Sequence, residues 1–133
     1  MKKNKLSFLV YLFLLLLFLS SCGKSYLESC KTKIHTTLSA VTGPDSVRMN
    51  NLNSFQVYFD TYNGCGQFSH FEETSIGNTK TIKVFAKYEG CVCTQIVKSV
   101  IEDYNYTTTQ TGTYIFNFVQ PNNTYITHTV TVF

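Results

Sequence analysis

The chain has 133 residues, enough for one domain, and carries 11 Lys and Arg against 8 Asp and Glu, a formal charge of +3. Three of the basic residues, Lys2, Lys3 and Lys5, lie in the first five positions, so from residue 22 onward eight basic residues face eight acidic ones. That neutral remainder has no basic cluster, which excludes a nucleic-acid surface.

The first element is a leader. The positive start MKKNK precedes an unbroken apolar run over 8–19, twelve residues long. A membrane-spanning helix needs roughly 18 or more apolar residues. Charge, a short apolar stretch and then small residues, in that order, read instead as a secretory signal. Leu19-Ser20-Ser21-Cys22 resembles the lipobox of bacterial lipoproteins: an aliphatic residue, two small ones and a cysteine. The resemblance implies cleavage before Cys22, diacylglycerol on its sulfur and acylation of the new amine. It therefore predicts a signal peptide over 1–21 and a mature chain from Cys22; the small or polar Gly23, Lys24 and Ser25 then read as a lipidated tether over 22–32, ahead of a domain over 33–133. The tether is short, since its ten residues from 23 to 32 span at most about 35 Å. Gly23 is not the Asp associated with inner-membrane retention in some bacteria, so the resemblance points to the outer membrane, with the domain periplasmic or surface-facing. Each buried CH₂ contributes about 0.8 kcal/mol, and one acyl chain alone holds only marginally, so several are expected to hold the protein permanently.

The rest of the chain reads as β. Residues 34–41 are rich in Thr, Leu and Val, and GPDS at 43–46 is a turn. In 54–62, Phe55, Val57 and Phe59 alternate with Gln56, Tyr58 and Asp60, as in a half-buried strand. NGCG at 63–66 is a tight turn whose glycines are expected to supply positive φ. Residues 67–74 form a further strand, in which the differing parity of Phe68 and Phe71 calls for a bulge or burial on both faces. After a turn at 76–78, Ile82, Val84, Ala86 and Tyr88 share one face of 79–88, opposite Lys83, Phe85 and Lys87. Strands over 98–109, 111–119 and 124–133 follow, the last with Ile126, His128, Val130 and Val132 on one face. About seven strands at this spacing, with no amphipathic helix, predict an all-β sandwich. With no long crossovers, its sheets are expected to be antiparallel.

Gly112-Thr113-Tyr114 resembles the tyrosine corner of immunoglobulin-like domains, which implies that Tyr114 bonds back to upstream backbone. The chain departs from antibody domains in having no Trp, and in placing Phe116 where their second cysteine stands. Only the general immunoglobulin-like sandwich carries over. The segments YNGCGQF (62–68), KYEGCVCTQ (87–95) and NNTYIT (122–127), with the GTY strand, are similar to a group of small bacterial lipoproteins. That likeness implies fold and anchoring and supplies no activity.

With Cys22 assigned to lipid, Cys30, Cys65, Cys91 and Cys93 remain, an even number in an exported chain, which predicts two disulfides. Pairing Cys91 with Cys93 is disfavoured, because side chains two apart on a strand have Cα atoms roughly 6.5–7 Å apart. That leaves 30–91 with 65–93, or 30–93 with 65–91. A Cys₄ zinc site lacks the usual two C-x₂₋₄-C pairs. His35, His70 and His128 fall on different strands without metal spacing, and Glu72-Glu73 and Glu102-Asp103 alternate faces. Neither a metal nor another cofactor is expected, and no catalytic motif is present. The expectation is therefore a non-catalytic, lipid-anchored binding or adhesion module, held to the membrane through Cys22. Its protein or glycan partner would meet loops such as 62–68 and 89–96. The alternatives are a structural accessory of an outer-membrane complex and an envelope thiol–disulfide enzyme using the Cys91/Cys93 pair.

Overall fold

The structure, a computed structural model, describes residues 30–133. The signal peptide, Cys22 and the tether up to residue 29 lie outside the described residues. Nine strands follow in chain order: β1 (Lys31–His35), β2 (Leu38–Thr42), β3 (Ser46–Val47), β4 (Leu52–Thr61), β5 (Gly66–Ile76), β6 (Thr79–Glu89), β7 (Lys98–Thr107), β8 (Gly112–Val119) and β9 (Tyr125–Val132). They form an open sandwich, with a three-stranded sheet β2-β4-β7 packed against a six-stranded one. In the larger sheet β6 pairs with β5 on one side. On its other side β1 takes residues 85–89 and β8 takes residues 79–82, and β9 and β3 continue outward from β8.

Apolar alternation builds the core. Phe55, Val57 and Phe59 of β4 face Ile82, Val84 and Ala86 of β6 and Phe116 and Phe118 of β8, all without solvent exposure. The Phe55 ring sits at the centre, with the rings of Tyr106, Phe116, Phe118 and His128 at 5.0–5.5 Å. Gly43 passes beneath it so closely that a Cβ there would lie 2.2 Å from the ring. The His128 Nε2–H donates to the Val41 carbonyl, 3.0 Å away, which ties the two sheets together near this centre.

Several expectations need correction. Among the described residues there are nine strands, not about seven, because 34–41 breaks at Thr36-Thr37 into β1 and β2, which join different sheets, and Ser46 opens a short strand in place of the end of a turn. The composition-based tether to residue 32 is too long, since Lys31 and Thr32 already pair with Glu89 and Tyr88. The sheets are not wholly antiparallel: β6 pairs with β8 and β3 with β9 in parallel. A strand of the opposite sheet, β7, supplies the crossover from β6 to β8 that a helix would otherwise make. The parity break in β5 is a bulge between Phe68 and His70, which lets both Phe68 and Phe71 pack on the core.

Candidate functional site

The four cysteines meet at one end of the sandwich, with Cys30 joined to Cys91 (Cα–Cα 4.9 Å) and Cys65 to Cys93 (Cα–Cα 5.5 Å). Of the two pairings the sequence left open, this is 30–91 with 65–93. The reason is local. Gly90 leaves β6 at φ +144, and a Cβ on it would lie 2.9 Å from the Cys65 sulfur, so the β4–β5 turn packs directly on the segment after β6. Cys91 and Cys93 then reach in different directions, one to the start of β1 and the other to the turn. No C-x-C disulfide forms.

The turn itself is held by Asn63, whose carbonyl accepts from Gly66 N at 3.1 Å and whose side chain accepts from Cys65 N at 3.0 Å. Its glycines do not supply positive φ, contrary to expectation; among the described residues the positive-φ glycines are Gly77, Gly90 and Gly112. They provide room instead. A Cβ on Gly64 would meet Thr94 Oγ1 at 2.1 Å, and one on Gly66 would meet Thr61 Cβ at 2.4 Å. Segment 90–97 has no regular secondary structure, yet Gly64 N donates to the Thr94 carbonyl at 2.9 Å and Gly90 N to the Cys30 carbonyl at 3.1 Å. On this braced loop and turn, Val92 is 95% exposed, Ile96 66%, Val97 63% and Tyr62 53%. Tyr62 stacks on Tyr88 at 3.9 Å, and its backbone N–H donates to the Tyr88 hydroxyl at 3.3 Å. Burial pushes the Tyr88 phenol up, so it stays protonated.

The outer face of the larger sheet carries a second feature. His35 of β1 and His70 of β5 both register opposite Phe85 of β6, with ring centroids at 5.6 and 5.0 Å. The His35 Nε2–H donates to the Val119 carbonyl at 2.8 Å, and His70 Nδ1 lies 2.9 Å from Ser69 Oγ. Beside this row, Lys31, Thr32, Lys33, Lys87 and Glu89 line a shallow cleft of about 210 Å³. That is smaller than the roughly 300–1,000 Å³ of small-molecule pockets, so the cleft would take only part of a larger ligand. Lys33 and Lys87 stand directly opposite each other, an unfavourable cross-strand pair that Glu89, 3.6 Å from the Lys87 ammonium, offsets in part and a further anionic group would relieve. Among the described residues, no group of three or more His, Cys, Asp or Glu is placed to hold a metal.

A third cluster closes the seam between the sheets. Glu73 of β5, exposed at the sheet edge, accepts from Tyr104 of β7, from Lys80 and from Ser75. Burial alone would push the Glu73 carboxyl up, but these three hydrogen bonds together hold it below the usual carboxylate range. Burial first, and then Glu73, drive the Tyr104 phenol far up, so it remains a donor.

Sequence reasoning marked the loops 62–68 and 89–96 but not their apolar character as one exposed tip, and it missed the Glu73 contact and the His35–Phe85–His70 row. A signal for the tip was available: Val92, Ile96 and Val97 are apolar residues in a stretch without strand alternation. Nothing local marks Glu73, because its partner Tyr104 is 31 residues away.

A protein-family model for the ORF11 beta-sandwich domain matches residues 55–132, more than half of the chain. The chain belongs to the ORF11 beta-sandwich domain family. The ORF11 match takes in Cys65, Cys91 and Cys93 but starts after Cys30, so the Cys30–Cys91 bridge reaches from the ORF11 region to the segment before it. Neither curated proteins nor solved structures gave a match.

Proposed function

We propose that this chain is a lipid-anchored bacterial envelope lipoprotein whose sandwich is a non-catalytic binding module for a protein or glycan partner. Cys22 would carry the lipid, in the outer membrane. The observation that carries the binding reading is the outer face of β1-β6-β5, where the His35–Phe85–His70 row runs beside the lysine-lined cleft. An aromatic platform beside cations and hydroxyls suits an acidic or hydroxyl-rich polymer. The loops 62–68 and 89–96 fit such a partner less well than the sequence suggested, because Cys30 is pinned to them and the tether therefore leaves from that end.

The immunoglobulin-like reading of the sandwich draws support from the Tyr114 hydroxyl, which donates to the Gln110 carbonyl four residues upstream at 3.3 Å. The order departs from antibody domains, since β6 rather than β5 lies beside β8. The thiol–disulfide alternative has no support in the bridges, which place Cys91 and Cys93 with separate partners. The accessory-subunit alternative is favoured by the exposed Met49, Leu52 and Phe133 at the other end, where Met49 N donates to the Phe133 carbonyl at 2.9 Å.

A photo-crosslinking residue placed at exposed Lys83, on the outer face of β6, tests the binding reading in intact cells. A discrete adduct from position 83, with none from Gln56 on the outer face of β4, is expected. No adduct from position 83, together with blank glycan arrays, would contradict it. Co-migration with one large complex after mild detergent extraction would favour the accessory reading.

A further inference from the structure

The exposed apolar tip needs an occupant. Val92, Ile96, Val97 and Tyr62 stand out on a loop and turn fixed by two disulfides and by the Gly64–Thr94 hydrogen bond. Rigid exposed apolar groups of this kind mark a contact surface. Cys30, the first described residue, is bonded into this same end. Only seven residues, 23–29, separate it from Cys22. From Cys22 to Cys30 the chain therefore spans at most about 28 Å.

We propose that this end is a membrane-contact surface, with Val92, Ile96, Val97 and Tyr62 seated in the interfacial layer of the bilayer that holds the anchor. The proposal rests on the lipid anchor at Cys22. The tether keeps the tip within reach of the headgroups. Val92 and Ile96 supply apolar side chains, and Tyr62 supplies an amphipathic ring of the kind that favours the membrane–water boundary. A cation stands at this end as well: Lys98 opens β7 beside the turn, with Asp60 as its nearest acid along β4, and lysines near an anionic lipid surface are attracted to it. Lys98 also caps the Gly66 carbonyl at 3.4 Å, which holds its ammonium at the tip. The disulfides add a function beyond stability. They hold the tip rigidly against the start of β1, so that with the tip at the bilayer the far end points away from it and the outer sheet face stands clear to one side.

The chain has no Trp, so one introduced Trp reports alone. Val92→Trp, at a site 95% exposed, leaves the core untouched, and Ile76→Trp, 84% exposed at the other end of the 11-residue β5, is the control. The two positions are separated by about the length of β5, roughly 35 Å. The lipidated chain is reconstituted in phosphatidylethanolamine–phosphatidylglycerol vesicles doped with a lipid brominated near the top of its acyl chains. Insertion to about 5–10 Å brings the indole of Val92→Trp to the bromine layer, so its emission should be blue-shifted and quenched about twofold. Ile76→Trp should emit as it does without bromine. Vesicle-bound, acylated protein in which Val92→Trp is quenched no more than Ile76→Trp would overturn the proposal and leave the anchor standing. Protein without acyl groups would overturn the anchor and this proposal with it.

Discussion

At the scale of single residues, close approach explains what composition alone does not. Gly66 is read from sequence as a conformational device, but its φ is not positive and its role is space. A Cβ there would meet Thr61 Cβ at 2.4 Å and Tyr88 Cε1 at 2.7 Å, both inside the fold. Gly66→Ala should therefore cost about 1–3 kcal/mol in urea unfolding, the range for overpacking a filled site. Glu73 is the opposite case, an acid that the sequence shows only to face away from Glu72 and that holds a tyrosine across the seam. Its carboxyl is held below its ordinary value of 4.5, so it contributes stability that is complete above the unfolded value and is lost as pH falls through the folded one. Glu73→Gln should lose less stability than the unmodified chain between neutral pH and acid. The difference should be below about 1 kcal/mol, because solvent screens this partly exposed cluster. A urea midpoint series against pH measures it, and identical slopes would show that the carboxylate is not held by its partners.

At the scale of elements, what was legible followed from alternation. β4, β6 and β9 present the faces their patterns predict, because one side of each strand must be apolar to close the sandwich. The bulge in β5 was legible from the parity of Phe68 and Phe71. What was not legible depends on partners far apart in the chain. The break between β1 and β2 exists because two halves of one Thr-rich stretch pair with different strands, β6 and β4, and no residue at Thr36-Thr37 announces it. Cysteine pairing was narrowed to two choices by strand geometry, and the packing of Gly90 on Cys65 decides between them. Each bridge closes a long loop, of 28 residues for Cys65–Cys93 and 61 for Cys30–Cys91. Loop entropy gives about 3–4 kcal/mol for each. The double variant Cys30→Ser with Cys91→Ser should lose about that much. Its β1 amides should exchange faster while β5 and β6 stay protected, because β1 is short, largely exposed and pairs by backbone with β6 alone. Equal loss of protection in β1 and β5 would show that the bridge supports the whole sandwich instead.

At the scale of the whole molecule, the sandwich has two unlike ends. One gathers four cysteines, the start of β1 and exposed Val92, Ile96 and Val97; the other gathers Met49, Leu52, Ile76 and Phe133. Family membership accounts for the sandwich over 55–132 and leaves open what either end touches. The proposed anchor gives the ends different surroundings, with the crosslinked end against lipid and the outer face of the larger sheet free for a partner. Either pairing left open by the sequence brings Cys30 and Cys65 to the 91–93 segment, but that this cluster caps one end of the strands, opposite Met49 and Phe133, emerges only from the sheet registers. Every part of the functional account depends on that end being held at a membrane. The direct measurement is the intact mass of the chain extracted from cell membranes without reductant. The account predicts a chain beginning at Cys22, heavier by diacylglycerol and one further acyl group, and lighter by the hydrogens of two disulfides. A mass matching an unacylated terminus would contradict it.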